Sequence, residues 1–239
     1  MTVYAKNTEN SRKSINRIQD NILARSERKV LTWICGRMPQ WVTPDILTAL
    51  GMVGAVAIFA GYAASSFGPG WLWLAIAGIA LQWFGDSLDG SLARYRKIER
   101  PKYGYFLDHS CDGVTTVLML AGMGLSPYIR VDVALFAVAG YLLLSIHAYL
   151  SVYTVGELKL SYLAAGPTEL RVVVITMTFL MMALGQDPGW FGTISGFDVF
   201  VGSVGMLFMA LFIGQTIATA RRLAVREKRP QNGIGSDGE

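Results

Sequence analysis

Long apolar blocks constrain the fold of this chain more than any other feature of its sequence. Six blocks of helix-spanning size lie near residues 46–65, 71–88, 105–126, 131–153, 170–186 and 198–220. A helix needs roughly 20 apolar residues to cross the hydrocarbon core of a bilayer. Charged residues make up only 16% of the chain, against about 25% in a typical soluble domain. The sequence therefore predicts an all-α, polytopic membrane protein with six transmembrane helices.

The basic residues are distributed very unevenly among the segments that flank these blocks. Of the 21 lysines and arginines, 20 lie before the first block, between the second and third, between the fourth and fifth, or after the sixth. Arg130 is the exception. Because segments rich in Lys and Arg stay in the cytosol, this pattern predicts cytosolic termini and an even number of spans. We expect an integral protein of the cell membrane.

The two ends of the chain are polar and are expected to lie outside the membrane domain. Residues 15–36 mix apolar and basic side chains at a spacing that suits an amphipathic helix in the headgroup region. A solvated helix that packs on the cytosolic face fits the same pattern. We divide the chain into an N-terminal arm with this juxtamembrane helix at 1–40, a membrane domain at 41–222 and a disordered tail at 223–239. The net charge of +4 is modest, and no nucleic-acid partner is expected.

Four aspartates stand in or at the edges of the apolar blocks, as two pairs. Asp86 and Asp89 are three residues apart, and Asp108 and Asp112 are four apart, so each pair shares one helix face. An acidic side chain near the bilayer centre costs about 2.5–3.5 kcal/mol and needs a compensating partner. Two such faces opposed across a short cytosolic loop would offer hard oxygen ligands to Mg²⁺ or Mn²⁺.

Small and basic residues follow Asp89 directly. Gly90 and Ala93 would let a diphosphate or a nucleotide approach the backbone, and Arg94 can clamp a phosphate in bidentate fashion. Two alternatives stay open. Small residues in membrane helices also serve helix packing, and the aspartates could instead cap helices or pair with Arg94 and Arg96.

The spacing of these residues resembles a known family signature. The string reads D-x2-D-G-x2-A-R over 86–94 and G-x3-D-x3-D over 104–112. It resembles the signature of the CDP-alcohol phosphotransferase family, although nine residues separate the Arg from the second Gly where eight are usual. The resemblance covers residues 40–220 and implies a six-span core, a homodimer and a CDP-alcohol substrate.

The same resemblance implies a role for each aspartate. Asp86, Asp89 and Asp108 would bind the first of two divalent metal ions, Mg²⁺ or Mn²⁺. Asp86, Asp108 and Asp112 would bind the second ion. Asp112 is also the usual proton acceptor of the family.

Further residues are implied to bind the CDP moiety. Residues 43–48 resemble the Pro-Asn-x-x-Thr segment that lines the cytidine pocket of the family, with an Asp where Asn is common. The positions implied for CDP binding are Asp45, Thr48, Gly90, Ala93, Arg94 and Arg100.

A finer resemblance is to the choline/ethanolamine phosphotransferases. Residues 106–112 and 166–169 are similar to two segments of that subgroup, in which a His and a distant Glu are thought to activate the lipid hydroxyl. His109 and Glu169 are the matching positions. The alternatives are an interfacial histidine and an N-terminal helix carboxylate favoured by the macrodipole. His147, in the middle of the fourth block, is expected to hydrogen-bond between helices.

These resemblances imply a transferase of phospholipid synthesis that moves a substituted phosphate group from a CDP-alcohol to an acceptor hydroxyl and releases CMP. One option combines a CDP-aminoalcohol with diacylglycerol, and the match at His109 and Glu169 favours it. The other combines CDP-diacylglycerol with glycerol phosphate, inositol phosphate or serine. Arg171 and Lys159 are candidate cations for a phosphorylated acceptor. More distant alternatives are a UbiA-type prenyltransferase and a cation-coupled transporter, which would show other Asp-rich motifs or inverted repeats.

Overall fold

The computed structural model describes residues 24–155, 167–186 and 193–226. In these ranges the regular elements are helices, which confirms the all-α prediction. Two short 3-10 turns, Ser65–Phe67 and Pro69–Trp71, lie between the second and third helices. The helices are α1 (Ala24–Cys35), α2 (Pro44–Ala64), α3 (Leu72–Tyr95), α4 (Pro101–Leu125), α5 (Val131–Val155), α6 (Pro167–Leu184) and α7 (Gly196–Arg226).

Each apolar block corresponds to one of the helices α2 to α7, but several helices run past the ends of their block. α3 continues to Tyr95, and α7 continues to Arg226, through the predicted start of the tail at 223. Hydropathy marks only the part of a helix that faces an apolar solvent, whereas backbone hydrogen bonding carries the helix on into polar surroundings. In the described ranges, three helical stretches are long and apolar enough to cross a membrane: Pro44–Phe67, Val131–Thr154 and Gly196–Val225.

Helices α2 and α3 approach each other at glycines. A Cβ atom added to Gly54 would lie 2.5 Å from the backbone nitrogen of Gln82, and one added to Gly85 would lie 2.5 Å from that of Gly51. Real Cβ atoms do not come so close to a backbone, so larger residues would push the two helices apart. Close backbone approach through small residues is typical of membrane helices. Backbone contact therefore fixes how α2 sits on α3.

Local signals place the helix ends that carry the site. Thr43 caps α2, because its Oγ1 accepts a hydrogen bond from the Ile46 amide at 3.3 Å, and Pro44 occupies the first turn. Pro101 likewise occupies the first turn of α4. Only residues 96–100 join α3 to α4. The C-terminal turns of α3 and the N-terminal turns of α4 therefore meet at one end of the bundle.

Arg96 holds the segment between α1 and α2 against that end. Its guanidinium donates hydrogen bonds to four backbone carbonyl groups, at distances from 2.6 to 3.4 Å. The acceptors are Met38, Pro39, Gln40 and Val42. Such carbonyls have no helical partner and need a donor. Arg96 therefore acts on the backbone and not on an aspartate.

Helix α1 packs on α3 through one face and exposes the other. Leu31 and Cys35 are buried in a cluster with Leu88 and Leu92, whereas Trp33 is 59% exposed. The helix thus combines a packed face with an exposed aromatic side chain, which leaves both predicted placements of the N-terminal helix compatible with α1. Residues 15–23 of the predicted amphipathic helix and residues 227–239 of the predicted tail lie outside the described ranges.

Asp198 and its hydrogen-bond partners lie at the opposite end of the bundle, at the start of α7. Asp198 is 4% exposed. One of its oxygens accepts from the Arg130 amide at 2.7 Å, and the other accepts from the amide and hydroxyl of Ser195 at 2.9 and 3.0 Å. Asp132 binds the Arg130 guanidinium through two hydrogen bonds at 2.8 and 3.0 Å.

Helices α5 and α7 are joined by a polar contact within the bundle. His147 lies with its Nδ1 3.3 Å from Thr216 Oγ1 on α7 and its Nε2 3.2 Å from Ser151 Oγ on its own helix. The predicted interhelical role of His147 is confirmed.

Candidate active site

Three potential ligands from the first turns of α4 lie close together. One ligand atom each from Asp108, His109 and Asp112 falls within 4.8 Å of the others. His109 Nδ1 lies 3.5 Å from an Asp108 oxygen and 4.0 Å from an Asp112 oxygen. The two aspartate side chains are 32% and 38% exposed, so a ligand from solvent can reach them.

The two aspartates of α3 stand near those of α4. Asp86 and Asp89 each experience the negative charges of Asp108 and Asp112. The structure therefore brings the two predicted carboxylate pairs into one acidic cluster. Like charges repel more strongly in surroundings of low polarity than in water, so a cation would be stabilising among these carboxylates.

Asp86 already has a cationic neighbour, which comes from α6. Arg171 donates from Nη2 to Asp86 at 2.5 Å and from Nε to the Gln82 side-chain oxygen at 3.1 Å. Asp86 thus pairs with Arg171, and not with Arg94 or Arg96 as the alternative had it. Within the described residues, the Arg94 guanidinium donates to Ser91 of its own helix at 3.3 Å.

Asp89 is held by hydrogen bonds to both of its oxygens. Thr48 of α2 donates to one oxygen at 2.6 Å, and the amide of Gly90 donates to the other at 2.5 Å. A Cβ atom on Gly90 would lie 3.4 Å from the Arg94 guanidinium, so glycine leaves space beside that cation. Ala93, one residue before Arg94, is partly buried.

Two of the other residues predicted to bind CDP contact each other. Arg100 forms an ion pair with Asp45 in the first turn of α2, and both side chains are about half exposed. The Arg100 guanidinium also lies over the Tyr103 ring, 4.0 Å from its centroid. Asp45 precedes Thr48 by one helical turn, so the ion pair lies on the solvent side of the acidic cluster.

His109 is buried between aromatic rings. The Tyr105 ring lies edge-on to His109 with the two ring centroids 4.3 Å apart, and the ring of Tyr149 of α5 stacks on His109 with centroids 5.2 Å apart. Its Nε2 is buried and has no hydrogen-bond partner among the residues that the structure describes. A buried ring nitrogen of this kind is suited to a substrate hydroxyl.

Glu169 lies in the first turn of α6, between two residues that reach across to other helices. Thr168 donates to Glu27 of α1, and Arg171 binds Asp86. The first turn of α6 is therefore next to the acidic cluster. Lys159, the other predicted cation of this region, is outside the described ranges.

Sequence reasoning missed Glu27, which joins three helices beside the cluster. Its carboxylate accepts hydrogen bonds from Trp83 and Ser87 of α3 and from Thr168 of α6. The available signal was weak, because an acidic residue in the first turn of a helix is common for local reasons.

The cluster fits divalent metal ions by its donor chemistry. Its members are four carboxylates, which are hard oxygen ligands, and one imidazole. Carboxylates crowded at the partly exposed end of a helix pair suit Mg²⁺ or Mn²⁺ that also binds substrate phosphate.

Residues 41–225 match the family model described as CDP-alcohol phosphatidyltransferase. The chain belongs to this family. The resemblance of its Asp-Gly-Ala-Arg and Gly-Asp-Asp string is thereby confirmed. The UbiA-type and transporter alternatives are not supported by this match.

Curated relatives include enzymes of two kinds. The chain is 25% identical to human cholinephosphotransferase 1 over 171 residues, which is 68% of this chain and 41% of the human protein. It is 31% identical to the zebrafish (Danio rerio) enzyme of the same name over 96 residues, 38% of this chain and 25% of that protein. It is also 39% identical to the phosphatidylinositol phosphate synthase of Cutibacterium acnes over 85 residues, 35% of this chain and 38% of that enzyme. The matched regions thus span less than half of each relative.

A solved structure shares the fold. The phosphatidylinositol phosphate synthase of Mycobacterium tuberculosis, crystallised with CDP-DAG, aligns with a TM-score of 0.52 and 20% identity. The alignment covers 87% of this chain and all of that chain. The chain therefore shares its helical fold with this synthase.

Proposed function

We propose that this protein is a metal-dependent CDP-alcohol phosphotransferase. It would transfer a substituted phosphate group from a CDP-alcohol to an acceptor hydroxyl and release CMP. The observation that carries the proposal is the acidic cluster of α3 and α4, which lies within the range matched by the family model. The four carboxylates share one end of the bundle with the Arg171 guanidinium and the buried His109 imidazole. The side chains of Asp108 and Asp112 are partly exposed there.

The carboxylates are proposed to hold two divalent ions, Mg²⁺ or Mn²⁺. Asp86, Asp89 and Asp108 would hold one, and Asp86, Asp108 and Asp112 the other. When bound, such ions neutralise the diphosphate and stabilise charge on the departing CMP. Thr48 supports this assignment, because its hydrogen bond fixes one oxygen of Asp89 and thereby the direction of the carboxylate.

The nucleotide is proposed to lie over the C-terminal turns of α3. Gly90 and Ala93 leave the helix surface open there, and the exposed Arg94 guanidinium donates a 3.3 Å hydrogen bond to Ser91 of its own helix. The Arg94 guanidinium can therefore rotate toward a phosphate. Asp45 and Arg100, which pair at the rim, would meet the cytidine side of the substrate.

Transfer requires that the acceptor hydroxyl lose its proton as its oxygen bonds to phosphorus and the bond to CMP breaks. Asp112, or His109 assisted by Glu169, would take that proton as a general base, which contributes about 10²–10⁴ in rate. Support for His109 is its buried Nε2, while its Nδ1 faces Asp108 and Asp112. Asp112 is the more exposed of the two carboxylates beside it.

For the substrates, we propose a CDP-aminoalcohol donor and a diacylglycerol acceptor. The similarity to human cholinephosphotransferase 1 extends over 68% of the chain, and His109 and Glu169 match that subgroup. A second candidate uses CDP-diacylglycerol and a polar alcohol such as glycerol phosphate, inositol phosphate or serine. Higher but more local identity to a phosphatidylinositol phosphate synthase supports this second reaction.

The proposed setting is a homodimer with α2 to α7 as six spans and with both termini and the active site at the cytosolic face. The bias of 20 of 21 basic residues supports this orientation. Helices α3, α4 and α6 carry the charged and polar residues of the cluster, whereas the three stretches found long and apolar enough to cross a membrane lie along α2, α5 and α7. Burial of those residues against neighbouring helices is what a membrane would require.

Purified protein in lipid nanodiscs tests the function directly. We would incubate it with a panel of CDP-alcohols and acceptors, with Mg²⁺, Mn²⁺ or EDTA, and measure CMP and lipid products by mass spectrometry. The proposal expects stoichiometric CMP and phospholipid, and no CMP with EDTA. Electron paramagnetic resonance of added Mn²⁺ would report the metal site without turnover. A chain that binds no Mn²⁺ and releases no CMP with any pair would contradict the proposal.

A further inference from the structure

Glu27 makes contacts that the proposed chemistry does not use. Its carboxylate is partly buried between three helices. It accepts hydrogen bonds from Trp83 Nε1 at 3.0 Å and from Ser87 Oγ at 3.4 Å, both on α3. The Thr168 hydroxyl of α6 lies 3.0 and 3.1 Å from its two oxygens. A charged acceptor with neutral donors makes hydrogen bonds stronger than those between neutral groups.

The partners of Glu27 are neighbours of the proposed catalytic residues. Trp83 and Ser87 are four residues apart on α3 and therefore share one face, which lies beside Asp86. Thr168 directly precedes Glu169 and lies three residues before Arg171, about one helical turn. One carboxylate of the N-terminal helix thus connects the metal-binding segment of α3 with the first turn of α6.

Two side chains near the start of α6 reach the rest of the site. Arg171 binds Asp86 and Gln82, and Thr168 binds Glu27. Farther along, Thr178 hydrogen-bonds Tyr62 of α2 at 2.6 Å and holds the middle of the helix. The Thr168 contact lies about one turn from Arg171, so it opposes a rotation of the first turn about the Arg171 contact.

We propose that Glu27 is a positioning residue, which fixes the first turn of α6 on α3 and so orients Glu169 and Arg171 toward the acidic cluster. This inference rests on the proposed function. It assigns to the N-terminal helix a part in the reaction, although α1 lies outside the range of the family match.

The test compares two conservative changes that weaken the same contact from opposite sides. Glu27→Gln removes the charge at nearly constant volume, and Thr168→Val removes the hydroxyl donor at constant shape. Their matched controls are Glu99→Gln, an exposed acid in the loop after α3, and Thr176→Val. The Thr176 hydroxyl is exposed and binds only the Val172 carbonyl of its own helix, at 2.8 Å.

The kinetic expectation separates positioning from general stability. In Glu27→Gln and in Thr168→Val, kcat falls about tenfold, which corresponds to about 1.4 kcal/mol at the transition state. The KM for the CDP-alcohol and the thermal midpoint stay at the parent values. The double variant loses no more than the stronger single one, because both remove one interaction. The two control variants keep the parent kcat.

Hydrogen exchange provides a readout that does not depend on turnover. Amides at the start of α6 exchange faster in Glu27→Gln and Thr168→Val than in the parent, while those of α7 do not change. Independent, additive losses of kcat, an unchanged kcat, or unchanged exchange would each overturn the positioning role. If the parent chain releases no CMP, the proposed function is wrong, and the exchange comparison still decides whether Glu27 holds α6.

Discussion

At one end of the helical bundle, Asp132 and Asp198 lie beside a single arginine and receive hydrogen bonds from amides, a hydroxyl and a guanidinium. At the other end, the four aspartates of α3 and α4 form the acidic cluster, and Arg171 binds Asp86. The first arrangement is complete without a ligand and closes the start of α7. The second leaves negative charge facing negative charge. Acidic residues at helix ends therefore serve stability where protein donors surround them, and we propose that they serve metal binding where other acids do.

Removing single carboxylates from the acidic cluster is the largest expected effect. Asp108→Asn and Asp112→Asn should each lower CMP release by about a thousandfold or more, because metal ions contribute several kcal/mol to charge stabilisation and each 1.36 kcal/mol is a factor of ten. Asp132→Asn, the same change at the other end, should leave the rate unaltered. CMP release would be measured in nanodiscs. Parent-like turnover in either cluster variant would remove that residue from the site.

The opposite end should respond in stability and not in rate. Asp198→Ala leaves the Arg130 and Ser195 amides without their acceptor in a buried place, so the free energy of unfolding should fall by about 3 kcal/mol. Thermal and denaturant unfolding in detergent would measure this, and kcat of the folded fraction should stay at the parent value. Asp132→Ala, on an exposed pair, should cost much less. Equal losses for the two variants would contradict the assigned difference.

The smallest expected effect concerns the residue that orients a cluster carboxylate. Thr48→Val keeps the shape but removes the hydrogen bond to Asp89. We expect Mn²⁺ affinity and kcat to fall by about tenfold, within the range of about 10–100-fold for groups that orient metal ligands. The matched control is Thr154→Val, because the exposed Thr154 hydroxyl donates to the Leu150 carbonyl of its own helix at 2.9 Å. A thousandfold loss would mean that Thr48 contacts the substrate itself.

Sequence reasoning was most successful where the deciding contacts are local. The blocks predicted α2 to α7, and the spacings of Asp86 with Asp89 and of Asp108 with Asp112 predicted shared faces that the short loop brings together. Contacts between distant elements were not accessible. The Arg171–Asp86 pair joins residues 85 positions apart, and the Thr168–Glu27 contact joins residues 141 apart.

The arginines illustrate why such contacts cannot be read from spacing. Arg94 and Arg96 are the closest cations to the α3 aspartates in sequence, yet Arg96 binds carbonyl groups of the α1–α2 segment. The choice depends on which neighbouring segment has acceptors without partners, and this is known only once α1 is docked. Hydropathy also placed the end of α3 near residue 88, because the charged turns up to Tyr95 are helical without being apolar.

The glycines between α2 and α3 set the distance between these two helices, and this distance affects where the proposed metal ligands lie. Gly85 immediately precedes Asp86, and Gly51 follows Thr48 by about one turn. A methyl group at Gly85 would lie 2.4 Å from the Leu47 carbonyl oxygen and would push the two backbones apart beside Asp86, whereas one at Gly51 would make only ordinary contacts, at 3.5 Å and beyond. On the proposed function, a larger residue at Gly85 would therefore displace a metal ligand and lower the affinity for the cation.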